Sequence, residues 1–223
     1  CPLNGKQARG ILSLGVSSLI TEVSSGIVML LFNQILLSLS GNVGVAAYGI
    51  IANLALIVVS IFTGVAQGIQ PIVSRSFGSG QMRHVKQIFH YGVITAAAFG
   101  LLFLGIGWFF SPSIVGIFNQ ENNLEMERLA SQGLPLYFLA FPMMGVNILA
   151  SSYLASLSKG GPAFVLSVLR GAAAVIPAVL LLSRLFGITG VWLAVPCAEA
   201  LTFLVFLAML PFCFRRPQKG AGA

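Results

Sequence analysis

Two carboxylates stand inside long apolar stretches of this sequence. Glu22 lies in LITEVSSGIVMLLFNQ, and Glu199 lies in VPCAEALTFLV. An acid at the centre of a membrane-crossing helix costs about 2.5–3.5 kcal/mol on insertion scales, so it needs a cavity, a partner charge or a proton. These two acids are therefore the first candidates for chemistry.

Glu22 belongs to a regular stripe along one helix face. The stripe consists of residues spaced by 4, 3, 4 and 4, namely Ser18, Glu22, Ser25, Met29 and Asn33. One interpretation is a cavity-lining face whose carboxylate takes up and releases a proton. The other is a structural carboxylate that accepts hydrogen bonds from serine and threonine residues of a neighbouring helix.

A second polar face is predicted where Asn53, Ser60, Gln67 and Ser74 recur at intervals of seven. Neutral amides line water-filled paths or bind polar substrate groups, and they also join helices by hydrogen bonds. In a later apolar stretch, Tyr137 and nearby methionines would line an adaptable pocket or pack in a core. The candidates for lining a cavity are accordingly Asn33, Asn53, Gln67 and Tyr137.

Arg170 offers Glu199 a partner of opposite charge. It lies in SVLRGAAAVIP, in the apolar stretch that precedes the one carrying Glu199. The sequence therefore predicts a buried Arg170–Glu199 ion pair with a structural or a gating role. Removing either member would leave the other charge buried without a partner.

The composition requires a membrane. Hydrophobic residues make up 57% of the 223 residues and charged residues only 8%, against about 25% in soluble domains. Apolar segments of about 20 residues span the hydrocarbon core as helices. The fold class expected is an all-α integral membrane bundle of six helices, predicted at Leu14–Leu39, Ala46–Val73, Tyr91–Phe110, Leu134–Ala155, Phe164–Leu185 and Val191–Phe212.

The basic residues predict the orientation. With the N-terminal segment in the cytoplasm, nine Lys and Arg residues fall on that side and two on the other, which is the bias typical of cytoplasmic loops. The predicted organisation is a cytoplasmic segment at 1–13, a six-helix lobe at 14–212 and a cytoplasmic tail at 213–223. The net charge of +7 therefore reflects topology, and no nucleic-acid partner is expected because no base-reading motif is present.

Enzyme chemistry is not expected. The sequence has no Ser/His/Asp set and none of the motifs of ATPases or metalloproteases. The cysteines Cys1, Cys197 and Cys213 have no ligand-like spacing, so no metal site is predicted. Because the sequence starts at Cys1 rather than Met, we expect it to be part of a longer chain.

Several stretches together resemble the MATE (multidrug and toxic compound extrusion) transporters. GIQPIVSRSFGSGQMRHV is similar to the cytoplasmic end of the second or eighth helix of that family and the loop after it. LITEVSSGIVMLLFNQILLSLSGNVGVAAYGIIANL is similar to the seventh helix and the start of the eighth. YLASLSKGGPAFVLSVLR resembles the link between the tenth and eleventh helices. The similarity extends from about Leu12 to about Leu210.

This resemblance implies the second six-helix lobe of a twelve-helix transporter in a bacterial plasma membrane, with the first lobe missing. Family members export cationic or amphipathic organic compounds in exchange for Na⁺ or H⁺, so no cofactor beyond the coupling ion is implied. The resemblance places Glu22 at the position of an acid that helps form a cation site in some members. Those members also use an aspartate in the tenth helix, where this sequence has Met144, with Asn147 as the nearest polar residue.

Two other functions stay open. Lipid-linked oligosaccharide flippases have the same overall architecture, but they tend to need cationic residues in the cleft to hold a pyrophosphate. Arg170 is the cationic residue predicted in the membrane interior, since Arg184 lies at the end of its span, and Arg170 is assigned here to Glu199. The other alternative is a non-transporting, truncated membrane module, which would have to pair with a partner half or with itself.

Overall fold

The computed structural model describes residues 5–119, 122–157 and 159–213, and the side chains of residues 23, 26–119, 122–157 and 159–210. These residues contain helices and no strand, so the all-α fold class is confirmed. The elements are α1 (Gly5–Gly78), α2 (Met82–Phe109), α3 (Ser111–Phe118), α4 (Leu124–Phe138), α5 (Phe141–Ser156), α6 (Gly160–Val168), a π-helical turn (Leu169–Ala173), α7 (Val175–Phe186) and α8 (Ile188–Cys213).

Helix α1 consists of two arms that fold back on each other at Gly41. Gly41 has φ 61° and ψ −155°, a left-handed conformation that glycine adopts without a steric penalty. The rings of Phe32 and Tyr48 stack with their centroids 5.2 Å apart. In a straight helix these two residues would be separated by about 24 Å along the axis. The chain therefore reverses within SGNVG, where the sequence predicts a connection between the first two spans.

The described residues contain enough apolar helix for a multi-pass membrane bundle. Four helical stretches are long and apolar enough to cross a bilayer, and α4 with α5, bent by 48°, form a fifth. Counting the two arms of α1 separately gives the six predicted spans. Large apolar side chains are exposed on the outer surfaces of these helices, as a bilayer requires; examples are Leu30, Leu56, Leu101, Leu181 and Leu204.

The segment between the second and third predicted spans, which the predicted bounds leave outside the helices at residues 74–90, is mostly helical. Helix α1 continues past Pro71 to Gly78, so this proline lies inside the helix rather than ending it. Helix α2 then begins at Met82, after a tight turn in which Gly80 has φ 76°. The two helix ends carry polar residues, and that composition resembles a loop in the sequence.

The segment between the third and fourth predicted spans is also largely helical, since α4 begins at Leu124 whereas the predicted span begins at Leu134. The Asn123 side chain caps this helix by accepting hydrogen bonds from the backbone N–H groups of Glu125 and Met126, at 3.1 Å each. Glu125 and Glu127 lie in the first turn, where negative charge is favourable beside the helix dipole. The capping signal was present in the sequence, and the polarity of the segment obscured it.

The bend between α4 and α5 is set by proline and by close packing against α2. Pro142 lies at the start of α5, where its missing N–H and fixed φ are tolerated. Gly100 of α2 lies so close to this point that a Cβ added to it would come within 2.5 Å of the Pro142 Cα. Small residues allow helix backbones to approach in this way inside membranes, so Gly100 fixes the position of α5 against α2.

We therefore expect Gly100→Ala to destabilise the bundle by about 1–3 kcal/mol, because the new methyl group collides with backbone that has no room to move. Gly105→Ala is the matched control on the same helix, since a Cβ at Gly105 meets nothing within 4 Å. The free energy of unfolding of the purified chain, measured by SDS titration from mild detergent, distinguishes the two. Equal stability of both variants would contradict the close α2–α5 contact.

Candidate functional site

Three helical elements bring one acid, one base and one amide together inside the bundle. Helix α8 carries Glu199, which is only 3% exposed. The π-helical turn carries Arg170, whose Nε donates to the Glu199 Oε1 at 2.9 Å. Helix α5 carries Asn147, whose Nδ2 donates to the Glu199 Oε2 at 2.7 Å. The structure thus forms the ion pair that the sequence predicts and adds a partner to it.

Both carboxylate oxygens of Glu199 are hydrogen-bonded. A buried carboxylate without partners is strongly destabilising, whereas a charged donor on one oxygen and an amide donor on the other satisfy it. The amide Nδ2 of Asn147 also donates to the backbone carbonyl of Glu199 at 2.9 Å. Asn147 therefore joins α5 to α8 at both the side chain and the backbone of Glu199.

Sequence reasoning noted Asn147 only as the nearest polar residue to Met144, and it missed this role. Asn147 is fully buried, and its Oδ1 has no hydrogen-bond donor among the described residues. The signal in the sequence was an amide in the middle of the otherwise apolar FPMMGVNILA. Such an amide needs a polar partner inside the membrane, but the sequence does not show which helix supplies it.

The local fold around Arg170 departs from a regular helix. The N–H of Ala174 bonds to the Leu169 carbonyl at 2.9 Å, which is the i→i−5 pattern of a π-helical turn. Gly171 weakens the helix at this point, and Pro177 has no N–H to give to the Ala173 carbonyl. The resulting bulge lies in the turn that carries Arg170, and such bulges are frequent at functional sites.

A cavity of about 280 Å³ opens beside the ion pair. Its aromatic side is formed by Phe32, Tyr48 and Tyr137, and its polar side includes Arg170 and Glu199. The Tyr48 ring also stacks on Trp192 of α8, with the centroids 6.4 Å apart. The cavity therefore combines aromatic walls with one carboxylate and one guanidinium.

Of the predicted cavity-lining residues, the structure places Tyr137 at this cavity and the other three elsewhere. Asn53 is exposed, and its Nδ2 donates to the Gly49 carbonyl of its own helix at 2.8 Å. Gln67 is also exposed on the second arm of α1, and Asn33 is half-buried on the first. Whether these three residues line a larger cleft stays a prediction.

The side chain of Glu22 lies outside the described residues, so its role stays a prediction. Its backbone belongs to the first arm of α1. In the described part of the chain, no group of three or more His, Cys, Asp or Glu side chains is arranged to hold a metal ion.

Truncating one member of the ion pair should cost more than replacing both. We expect Arg170→Met to lower the free energy of unfolding by about 3–5 kcal/mol, because it leaves the Glu199 carboxylate buried without its counter-ion. The double variant Arg170→Met/Glu199→Met should recover much of that loss, since Asn147 keeps its bond to the backbone carbonyl at position 199. A double-mutant cycle by SDS titration measures this, and simple additivity of the two single losses would contradict a coupled pair.

Comparison with known proteins reveals similarity over most of the chain. The family model described as MatE matches residues 15–180. The chain is 26% identical over 199 residues to "Multidrug export protein MepA" of Staphylococcus haemolyticus, covering 89% of this chain and 42% of that protein. It is 26% identical over 211 residues to the protein of the same name from Staphylococcus aureus, covering 93% and 45%.

Solved structures share the fold. An outward-facing multidrug resistance MATE family transporter of the MOP superfamily superposes with a TM-score of 0.85 at 16% identity, covering 96% of this chain and 48% of that one. The bent form of the Vibrio cholerae MATE transporter VcmN gives a TM-score of 0.82 at 17% identity, covering 95% and 48%. The chain thus spans about half the length of the proteins it matches.

Proposed function

Because the chain belongs to the MatE family, we propose that it forms one six-helix lobe of a secondary active transporter. The proposed transporter exports cationic or amphipathic organic compounds by antiport with H⁺ or Na⁺. The family is one of transporters rather than enzymes, in agreement with the absence of catalytic motifs from the sequence. The curated relatives described above are named as multidrug export proteins, which supports the proposed substrate class.

The observation that carries this proposal is the buried Arg170–Glu199 pair beside a cavity. Charged side chains inside a membrane bundle are costly, and they commonly mark the pathway of an ion or a substrate. Here the pair joins the π-helical turn to α8 and lines a cavity that also has aromatic walls. A bundle that needed only stability would be served equally well by apolar residues of similar volume.

The proposed partner of this lobe is a second six-helix lobe, packed in the same bilayer. Two observations support it: the chain spans about half the length of its relatives, and one face of the second arm of α1 is polar and exposed. That face contains Asn53, Ser60, Gln67 and Ser74, each exposed. Polar side chains in membrane helices face a water-filled cleft or another protein surface rather than lipid.

The coupling residue proposed for this lobe is Glu22, with alternating access as the mechanism. Two lobes that rock about a midplane cavity expose it to one side and then the other. A carboxylate that exchanges its bound H⁺ or Na⁺ between the two states links ion entry to substrate exit. The proposed location is a bacterial plasma membrane, with residues 1–13 and 213–223 on the cytoplasmic side.

A flippase for lipid-linked oligosaccharides is not favoured. Recognition of a pyrophosphate needs cationic side chains that are available to it. Arg170 lies within the described membrane bundle, but its Nε is bonded to Glu199. The pair is neutral as a whole and offers a pyrophosphate no net positive charge.

The proposed function is tested by drug efflux from cells that express the complete reading frame containing this chain. We expect export of an organic cation such as ethidium, driven by an imposed H⁺ or Na⁺ gradient, and its loss by about tenfold or more in Glu22→Gln, because an amide cannot exchange the coupling cation. Whichever gradient drives export identifies the ion. Glu125→Gln is the matched control, since Glu125 is exposed in the first turn of α4, at the end of its span.

Two results would count against the proposal. Unchanged gradient-driven export in Glu22→Gln, at equal amounts of protein in the membrane, would remove Glu22 as the coupling residue. Failure of the wild-type protein to export any organic cation or amphipathic compound under either gradient would reject the transporter assignment itself.

A further inference from the structure

Arg170 binds Glu199 through a single hydrogen bond rather than through a two-point contact. This bond joins the guanidinium Nε to Oε1 at 2.9 Å, whereas strong arginine–carboxylate pairs place two parallel N–H groups on both oxygens. The second oxygen, Oε2, is held by Asn147 instead. Arginine is therefore attached to this carboxylate at one point, while the amide fixes the carboxylate in place.

The two members of the pair also differ in their accessibility. The Arg170 side chain is 25% exposed and the Glu199 side chain 3%. Arg170 lies on the π-helical turn, which is a local irregularity of the helix, and Glu199 lies in the middle of α8. The carboxylate is thus the more enclosed member of the pair, and the guanidinium is the more accessible one.

The surroundings of this carboxylate have the composition of an organic-cation site. Aromatic rings attract cations through their faces, and aromatic cages recognise quaternary ammonium groups in this way. Here Phe32, Tyr48 and Tyr137 line the cavity next to Glu199. The guanidinium of Arg170, itself a planar organic cation, lies at the wall of this cavity.

We propose that a compact organic cation and Arg170 compete for Glu199, so that ligand binding opens the ion pair. This inference rests on the proposed function for its biological meaning, but the binding event requires no transport. The carboxylate is paired in both states, first with the guanidinium and then with the ligand. Asn147 is a positioning residue that keeps Glu199 aimed at the cavity while its partner changes.

The size and lining of the cavity favour an organic cation over a proton. Pockets for small ligands measure about 300–1,000 Å³, so a cavity of about 280 Å³ suits a compact cation. A proton would gain nothing from three aromatic walls. Among the described residues, the titratable or charged groups that line the cavity are Glu199, Arg170, Tyr48 and Tyr137.

If Arg170 competes with a ligand for Glu199, removing the arginine should increase the affinity for that ligand. We use benzyltrimethylammonium as the probe and the full 223-residue chain in lipid nanodiscs. Arg170→Gln should bind the probe about tenfold more tightly than wild type, because the internal competitor has been removed. Glu199→Gln should lose measurable binding, and the uncharged carbon analogue of the probe, 2,2-dimethylpropylbenzene, should show no such dependence on Arg170. Equilibrium dialysis with radiolabelled ligands measures all three.

Arg170→Lys covers the case in which Arg170→Gln does not fold. A lysine keeps the charge but lacks the planar group at the Nε position, so it should compete less well and raise affinity about threefold. Equal or weaker binding in whichever Arg170 variant folds would overturn the proposal, as would an absence of binding throughout. Probe affinity that changes with pH but is the same in wild type and the Arg170 variants would assign the site to a proton and would also overturn the proposal.

The binding experiment and the export experiment can fail independently of each other. Tighter binding in Arg170→Gln together with no cellular export would leave the cation site standing and reject the transporter assignment. Gradient-driven export by the wild type, together with probe binding that does not change in the Arg170 variants, would support the transporter assignment and reject the competition for Glu199.

Discussion

The buried carboxylate of Glu199 constrains everything around it. In a low-dielectric interior its charge needs donors on both oxygens, and those donors come from two elements far apart in the sequence: Arg170 on the π-helical turn and Asn147 on α5. Satisfying one acid therefore fixes the relative positions of three helical segments. Because the Asn147 amide also bonds the Glu199 backbone, the α5–α8 contact does not depend on the carboxylate alone.

Irregular backbone makes room for this arrangement. Regular helices packed along their whole length would leave little space, but three breaks interrupt them: the reversal at Gly41, the 48° bend between α4 and α5, and the π-helical turn at Leu169–Ala173. The first stacks Phe32 on Tyr48, and the last carries Arg170. All three of these side chains line the same cavity. Arg170 and Gly171 of the π-helical turn line the cavity, as do Tyr137 and Met144, which flank the bend between α4 and α5. The cavity therefore lies beside the two breaks that interrupt membrane spans, where irregular backbone is tolerated because it borders protein or a cavity.

The membrane spans and the Arg170–Glu199 pair could be predicted from the sequence. The role of Asn147 and the exact helix ends could not. Apolar length predicts a membrane helix because the bilayer sets that length. Arg170 and Glu199 could be paired because opposite charges in neighbouring apolar spans have few other partners. Asn147 could not be assigned, since an amide accepts many partners and only the three-dimensional packing chooses among them. Helix ends near Met82 and Leu124 were missed because helix that emerges from the bilayer is as polar as a loop.

In a bilayer, the Arg170–Glu199 contact should be present in the empty protein and should open when a cation binds. Solid-state NMR tests this directly through the dipolar coupling between ¹⁵N of the Arg170 guanidinium and ¹³C of the Glu199 carboxyl group, isolated by subtracting the Glu199→Gln spectrum. The account predicts a coupling consistent with the 2.9 Å Nε–Oε1 contact in the empty protein and its loss on saturation with benzyltrimethylammonium. No coupling in the empty protein, or one that the saturating cation leaves unchanged, would contradict the account.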